Sequence, residues 1–136
     1  MFHYRKTRKQ YKKYLKPASC PFCRIDSEVV IDKSKYHVIV PNIVFYDVWE
    51  MRTVTDHLLV LPKRHVGSLA ELTREEKIDH MDVMARYEAD GYNIYARGLN
   101  SPQRSVPHQH THLIKTATKP ARLQLIVKKP YLLIKF

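Results

Sequence analysis

The chain has 136 residues, enough for one ordinary domain with a real core. Hydrophobic residues at 44% and charged ones at 27% are the proportions of a globular protein, and no apolar run approaches the ~18 residues of a membrane-spanning helix. The formal net charge of +11 is large for this size and draws polyanions by long-range attraction. The basic N-terminus has no apolar centre or small-residue cleavage site, so it does not read as a secretory signal. Two cysteines three apart cannot staple a fold. That usage suits a reducing compartment, and the expected location is the cytoplasm.

Residues 1–16 carry Arg5, Lys6, Arg8, Lys9, Lys12, Lys13 and Lys16. Tyr4, Tyr11, Tyr14 and Leu15 recur among them at helix-like intervals. The segment fits either a short amphipathic helix or a solvated basic tail. It is a candidate nucleic-acid arm, although no recognised binding module accompanies it. Residues 17–136 read as a single domain, without internal repeat or linker. Cys20 and Cys23 can both reach one tetrahedral ion if two further ligands arrive from elsewhere. The redox alternative needs a thioredoxin-like βαβ unit, and none follows.

Glu28 to Ile31 and Tyr36 to Val40 read as two strands around an Asp32-Lys33-Ser34 turn. Ile43 to Val48 is a further β-prone run, and it contains the acid Asp47. His57 to Leu61 is nearly continuous in apolar residues, as in a strand buried on both faces. Thr73 followed by Glu76 predicts a capping box and a helix start. Ile78, Met81, Met84 and Tyr87 are the expected buried stripe, and Asp90-Gly91 the helix stop. A strand from Tyr92 to Arg97, a loop over 98–103 and a strand over 105–114 follow. Arg122 to Lys128 and Tyr131 to Phe136 fit two last strands around Lys128-Lys129-Pro130.

The strand over 105–114 holds His108, His110 and His112 at strict two-residue spacing. Alternation along a strand turns all three imidazoles to one face, roughly 7 Å apart. Such a row can supply a nucleophile, an acid and an orienting group near neutral pH. It can equally supply metal ligands, and spacing alone leaves the two uses even.

The segment His108-Gln109-His110-Thr111-His112-Leu113-Ile114 resembles the signature of the histidine-triad (HIT) superfamily of nucleotide hydrolases and transferases. His57-Leu58-Leu59-Val60-Leu61-Pro62-Lys63-Arg64-His65-Val66 is similar to the family's other diagnostic strand and turn. Cys20-Pro21-Phe22-Cys23 is similar to the zinc knuckle of one branch. The resemblance implies an α+β, HIT-like fold: an antiparallel sheet of about five strands with one main helix, in a homodimer. It implies a structural zinc held by Cys20, Cys23, His65 and His108. His110 is then the nucleophile on the α-phosphorus of a purine nucleotide, His112 the phosphate contact and acid, and His57 their orienting neighbour. Asp47 falls where the family binds ribose hydroxyls, and Ser105 where it donates to a phosphate oxygen.

The chain departs from the family at Arg104, where Gln is usual, and near Arg97, where an asparagine is common. Gln109 and Thr111 stand where hydrophobic residues are usual. Arg97 and Arg104 keep or increase complementarity to phosphate, which favours a more anionic substrate such as a dinucleoside polyphosphate. Nucleoside phosphoramidates are the other candidate. Two alternatives stay open: a nucleotidyltransferase using the same intermediate, and a non-catalytic nucleotide or nucleic-acid binding module.

Overall fold

The computed structural model describes residues 20–120, 124–128 and 131–135, and side chains within 20–120. The basic segment 1–16 lies outside them. The strands are β1 (Asp32–Lys33), β2 (His37–Pro41), β3 (Val48–Trp49), β4 (Arg52–Pro62), β5 (Asn93–Ala96) and β6 (Thr111–Thr116), with one helix, α1 (Arg74–Ala89). They form an antiparallel sheet in the order β1-β2-β4-β6-β5, with β3 paired to β4. β7 (Gln124–Lys128) and β8 (Tyr131–Lys135) pair with each other in the predicted hairpin. The α+β architecture is the expected one. No helix among the described residues is long and apolar enough to cross a membrane.

β4 is the spine of the sheet, with β2 on one side and β6 on the other. Residues 57–62 are buried throughout, as the unbroken apolar run required. Alternation sends Leu58 and Val60 to one face, where they pack with Ile39, Leu113 and the α1 residues Val83 and Met84. Leu59 and Leu61 go to the other face, under Phe22, Ile25 and Val30 of the N-terminal segment. Each fully buried aliphatic side chain is worth about 1.5–3 kcal/mol.

Three expected elements differ. Ser27–Val29 is a 3-10 turn, because the Asp26 side chain accepts from the Glu28 N–H and so competes with extension. The hairpin partner of β2 is therefore β1, a few residues later. The run from Ile43 to Val48 joins the sheet only at its end. Asn42 Oδ1 accepts from the Val44 N–H at 3.0 Å and turns the chain out of the ladder after Pro41. Over 105–114, pairing starts only at Thr111. Pro107 has no N–H to give, and the Gln109 N–H goes to Val66 O instead, at 2.7 Å.

The helix start is as predicted. Thr73 Oγ1 accepts from the Glu76 N–H and Glu76 Oε2 accepts from the Thr73 N–H. At the other end Gly91 sits at φ +83°. Its N–H donates to Glu88 O and the Tyr92 N–H to Tyr87 O, with the two tyrosine rings 5.3 Å apart. This is a Schellman stop with its hydrophobic contact. The buried stripe is not the expected one. Glu76, His80, Val83 and Met84 are buried, with Tyr87 beside them, whereas Ile78 is 53% and Met81 64% exposed. At about 100° per residue, a three-residue repeat drifts backwards ~60° per step. Ile78 and Tyr87 therefore stand on opposite sides of the helix.

Glu76 also takes a two-pronged contact from Arg64, at 3.1 and 2.7 Å. The Arg64 guanidinium, then the Thr73 N–H, pull its pKa down from 4.5 to about 2. A depressed carboxyl pKa stabilises the fold above the unfolded value and loses that contribution as pH falls through the folded one. Glu76→Gln should thus be less stable than wild type at neutral pH. The gap in urea midpoint should close between pH 4.5 and about 2; a gap constant across that window would refute the assignment.

Candidate functional site

The 3-10 turn Pro21–Cys23, with Cys20 at its N-cap, brings two thiols against the turn after β4 and the approach to β6. Cys23 Sγ lies 3.1 Å from His65 Nδ1, and Cys20 and Cys23 Sγ each lie 3.5 Å from His108 Nδ1. The four donor atoms all fall within 4.8 Å of one another. A tetrahedral ion with ordinary sulfur and imidazole bonds sets its S···N edges at about 3.6 Å. The donor chemistry fits as well. His108 Nε2–H donates to Pro62 O at 3.0 Å, so Nδ1 keeps its lone pair toward the sulfurs. Burial holds His108 below the usual imidazole range, in the neutral form that ligates. Burial, and then Cys20 alongside, push the Cys23 thiol up; a bound cation reverses that balance. These residues form a Cys2His2 set able to hold one metal ion.

Two residues on, His110 Nδ1–H donates to the backbone carbonyl of His108 at 2.9 Å. Its Nε2 is left with a free lone pair. Burial first, then the charges of Arg104 and Arg97, keep the ring below the ordinary imidazole pKa and hence neutral. His57 and His112 form a second tautomeric chain. The Tyr46 N–H donates to His57 Nδ1 at 2.9 Å, so His57 carries its proton on Nε2. That proton goes to His112 Nδ1, again at 2.9 Å. His112 must then be protonated on Nε2, a buried atom with no hydrogen-bond partner among the described residues. Burial, followed by His57, His110 and Arg97, pushes the His112 pKa down to about 2. The triad thus presents one lone pair and one N–H, with His110 and His112 ring centres 5.2 Å apart.

An aromatic frame surrounds this pair. Tyr95 is the cross-strand neighbour of His112. Tyr46 stacks between Trp49, at 6.0 Å, and His112, at 5.4 Å. Phe22 stands edge-on to His110 at 5.2 Å. Arg97 lies over Tyr95 and donates to Tyr46 Oη at 3.2 Å.

The family model described as "HIT domain" matches residues 25–119. The chain belongs to the HIT family. It is 32% identical over 97 residues to a Bis(5'-adenosyl)-triphosphatase of Saccharomyces cerevisiae, a match covering 65% of this chain and 44% of the yeast protein. The chain therefore spans less than half the length of the curated relatives it matches. Among solved structures, a hypothetical protein from Leishmania major superposes with a TM-score of 0.58 at 25% identity, covering 88% of this chain and 85% of that one. A HIT family hydrolase from Clostridium thermocellum superposes with a TM-score of 0.55 at 18% identity, covering 78% and 97%. The second likeness concerns the fold.

In this HIT domain the residues singled out from the sequence fall into two clusters and three single positions. His57 and His112 are hydrogen-bonded with His110 edge-on to His112, and Cys20, Cys23, His65 and His108 form the other cluster. Arg97 reaches the first through Tyr46 and through its field. Asp47 is buried beside Tyr46, at the mouth of the short β3–β4 hairpin. Ser105 is exposed on the loop before His108. Arg104 braces that loop, donating to Gly67 O at 2.6 Å and Pro107 O at 3.0 Å. Sequence reasoning missed Tyr46, Trp49 and Tyr95. Their signal was the aromatic content of runs otherwise read as ordinary strands.

Proposed function

We propose that this protein is a nucleotide hydrolase that cleaves at the α-phosphate of dinucleoside polyphosphates or nucleoside phosphoramidates. The carrying observation is the His110 tautomer. A neutral ring with Nδ1–H fixed on the His108 carbonyl offers Nε2 as a nucleophile without a separate strong base. In this reading Nε2 bonds to the α-phosphorus while the bond from phosphorus to the leaving group breaks. Water then cleaves the nucleotidyl-histidine and releases nucleoside monophosphate. His112 Nε2–H faces the departing atom as hydrogen-bond donor. With its Nδ1 taken by the His57 N–H, His112 acts on the leaving group by stabilising the developing charge through Nε2–H. Asp47 takes the ribose hydroxyls, whose two donors suit a carboxylate; Ser105 and Arg97 take phosphate oxygens. The yeast relative, a Bis(5'-adenosyl)-triphosphatase, supports the dinucleotide substrate.

The test is to incubate the protein with labelled diadenosine triphosphate, quench by denaturation, and map the label. Adenylyl on His110 supports the reading, and turnover without any histidine adduct removes it. Adding phosphate or a sugar phosphate as acceptor separates hydrolase from nucleotidyltransferase by the product formed.

In the same reading the metal is zinc and structural, since four protein ligands close a tetrahedral site. The protein would be a homodimer. The exposed Ile78 and Met81 on α1, and the outer edge of β5, unpaired among the described residues and with Ile94 exposed, support this. Sedimentation at tens of micromolar, a range where obligate dimers persist, should give the dimer mass for wild type. Met81→Asp should shift it toward monomer; a monomeric wild type would end the proposal.

A further inference from the structure

Behind the triad, on the face covered by α1, lies a second set of buried polar side chains that the hydrolysis above does not use. Alternation sends Gln109 and Thr111 to the side of the sheet on which Leu113 meets Val83 and Met84 of α1, and Thr111 reaches His80 of the same helix. Gln109 Nε2 donates to Thr111 Oγ1 at 3.1 Å, and Thr111 Oγ1 lies 3.3 Å from His80 Nε2. His80 Nδ1 is 3.2 Å from His37 Nε2, and His37 Nδ1 is 2.7 Å from Asp79 Oδ2. Gln109, Thr111, His80 and His37 are all buried.

The carboxylate sets the direction of every proton. Asp79 accepts from His37 Nδ1–H, from the Ser34 hydroxyl at 2.6 Å and from the Tyr36 N–H at 3.1 Å. Burial opposes its ionisation, but these donors more than offset that and hold its pKa low. His37 Nε2 then carries a lone pair and takes His80 Nδ1–H. His80 Nε2 in turn takes the Thr111 hydroxyl, whose oxygen accepts from Gln109. All the donors point toward Asp79, so the five side chains lock as one unit. Burial, and then the neighbouring His37, push the His80 pKa down to about 4 and keep it neutral, as this order requires.

His110 lies where such a lock matters. Ladder pairing starts at Thr111, so His110 stands outside the sheet between Gln109 and Thr111. We propose that the chain Asp79–His37–His80–Thr111–Gln109 is a positioning network, which orients His110 from behind through the two residues that flank it. It touches no substrate. The proposal rests on His110 being the nucleophile.

The test compares Thr111→Val, Thr111→Ser and His80→Leu in the metal-loaded full chain, hydrolysing diadenosine triphosphate. Valine keeps the shape of threonine and removes the hydroxyl; serine keeps the hydroxyl. Thr111→Val and His80→Leu should each lower kcat roughly tenfold or more, with KM within about twofold of wild type. Thr111→Ser should stay near wild type, and the double variant Thr111→Val/His80→Leu should be little worse than either single. A merely structural role predicts losses that follow the melting temperature and leave the kcat of folded protein unchanged. Wild-type kcat in Thr111→Val, or an equal loss in Thr111→Ser, overturns the proposal. Failure of the hydrolase reading shows separately, as no turnover in the wild-type protein, and takes this inference with it.

Discussion

His110→Ala should abolish release of nucleoside monophosphate, by at least about a thousandfold in kcat, because a site without its nucleophile has no covalent route. The triad offers a single lone pair. His108 lies in the metal cluster, with Nε2–H spent on Pro62 O. His57 Nδ1 receives the Tyr46 N–H, and His112 Nδ1 receives His57 Nε2–H. Only His110 Nε2 remains for attack. His112→Ala should behave differently, losing about a hundredfold or more with a poor leaving group and much less with a good one. Asp47→Ala should act mainly on KM, because ribose contacts are the same in ground and transition states. Steady-state kinetics of the three variants, on one substrate with each kind of leaving group, decide the matter. Retention of more than a few per cent of activity by His110→Ala, on the scale used for removed nucleophiles, would end the covalent mechanism. The binding-module reading would then lead.

Cys23→Ser should lose the metal and much of the stability together. Cys23 Sγ is within 3.5 Å of both imidazole ligands, so its removal leaves three donors around an open corner. The cluster joins the N-terminal turn to the approach of β6, through Cys23 and His108, which lie 85 residues apart in the chain. Structural zinc contributes on the order of 10 kcal/mol in small modules. A fall in melting temperature of at least about 10 °C, or ~3 kcal/mol for a chain of this size, is expected. Elemental analysis should show about one zinc per wild-type chain and little in the variant, as for a closed structural site. A variant that kept its full zinc and melted unchanged would mean that the ligands are wrongly assigned.

What was legible in the sequence is what local chemistry dictates. The Thr73 and Glu76 capping box, the glycine stop at Gly91 and the doubly buried strand at His57 to Leu61 follow from side chains acting on their own backbone or on an unbroken apolar run. The four candidate metal ligands were legible through the family pattern, and the fold brings them to one point. Tertiary structure decided the rest, because each remaining feature depends on contacts far apart in the chain. Which face of α1 is buried is set by the sheet beneath it, so the apolar Ile78 and Met81 turn outward while Glu76 and His80 turn in. The triad strand stays unpaired before Thr111 because the Gln109 N–H finds Val66. The tautomers of His57, His110 and His112, on which the proposed chemistry depends, are fixed by hydrogen bonds from residues the spacing cannot place. Five isolated polar residues, from Asp79 to Gln109, become one hydrogen-bonded chain only when the helix is laid across the sheet, since only burial together makes each the other's necessary partner.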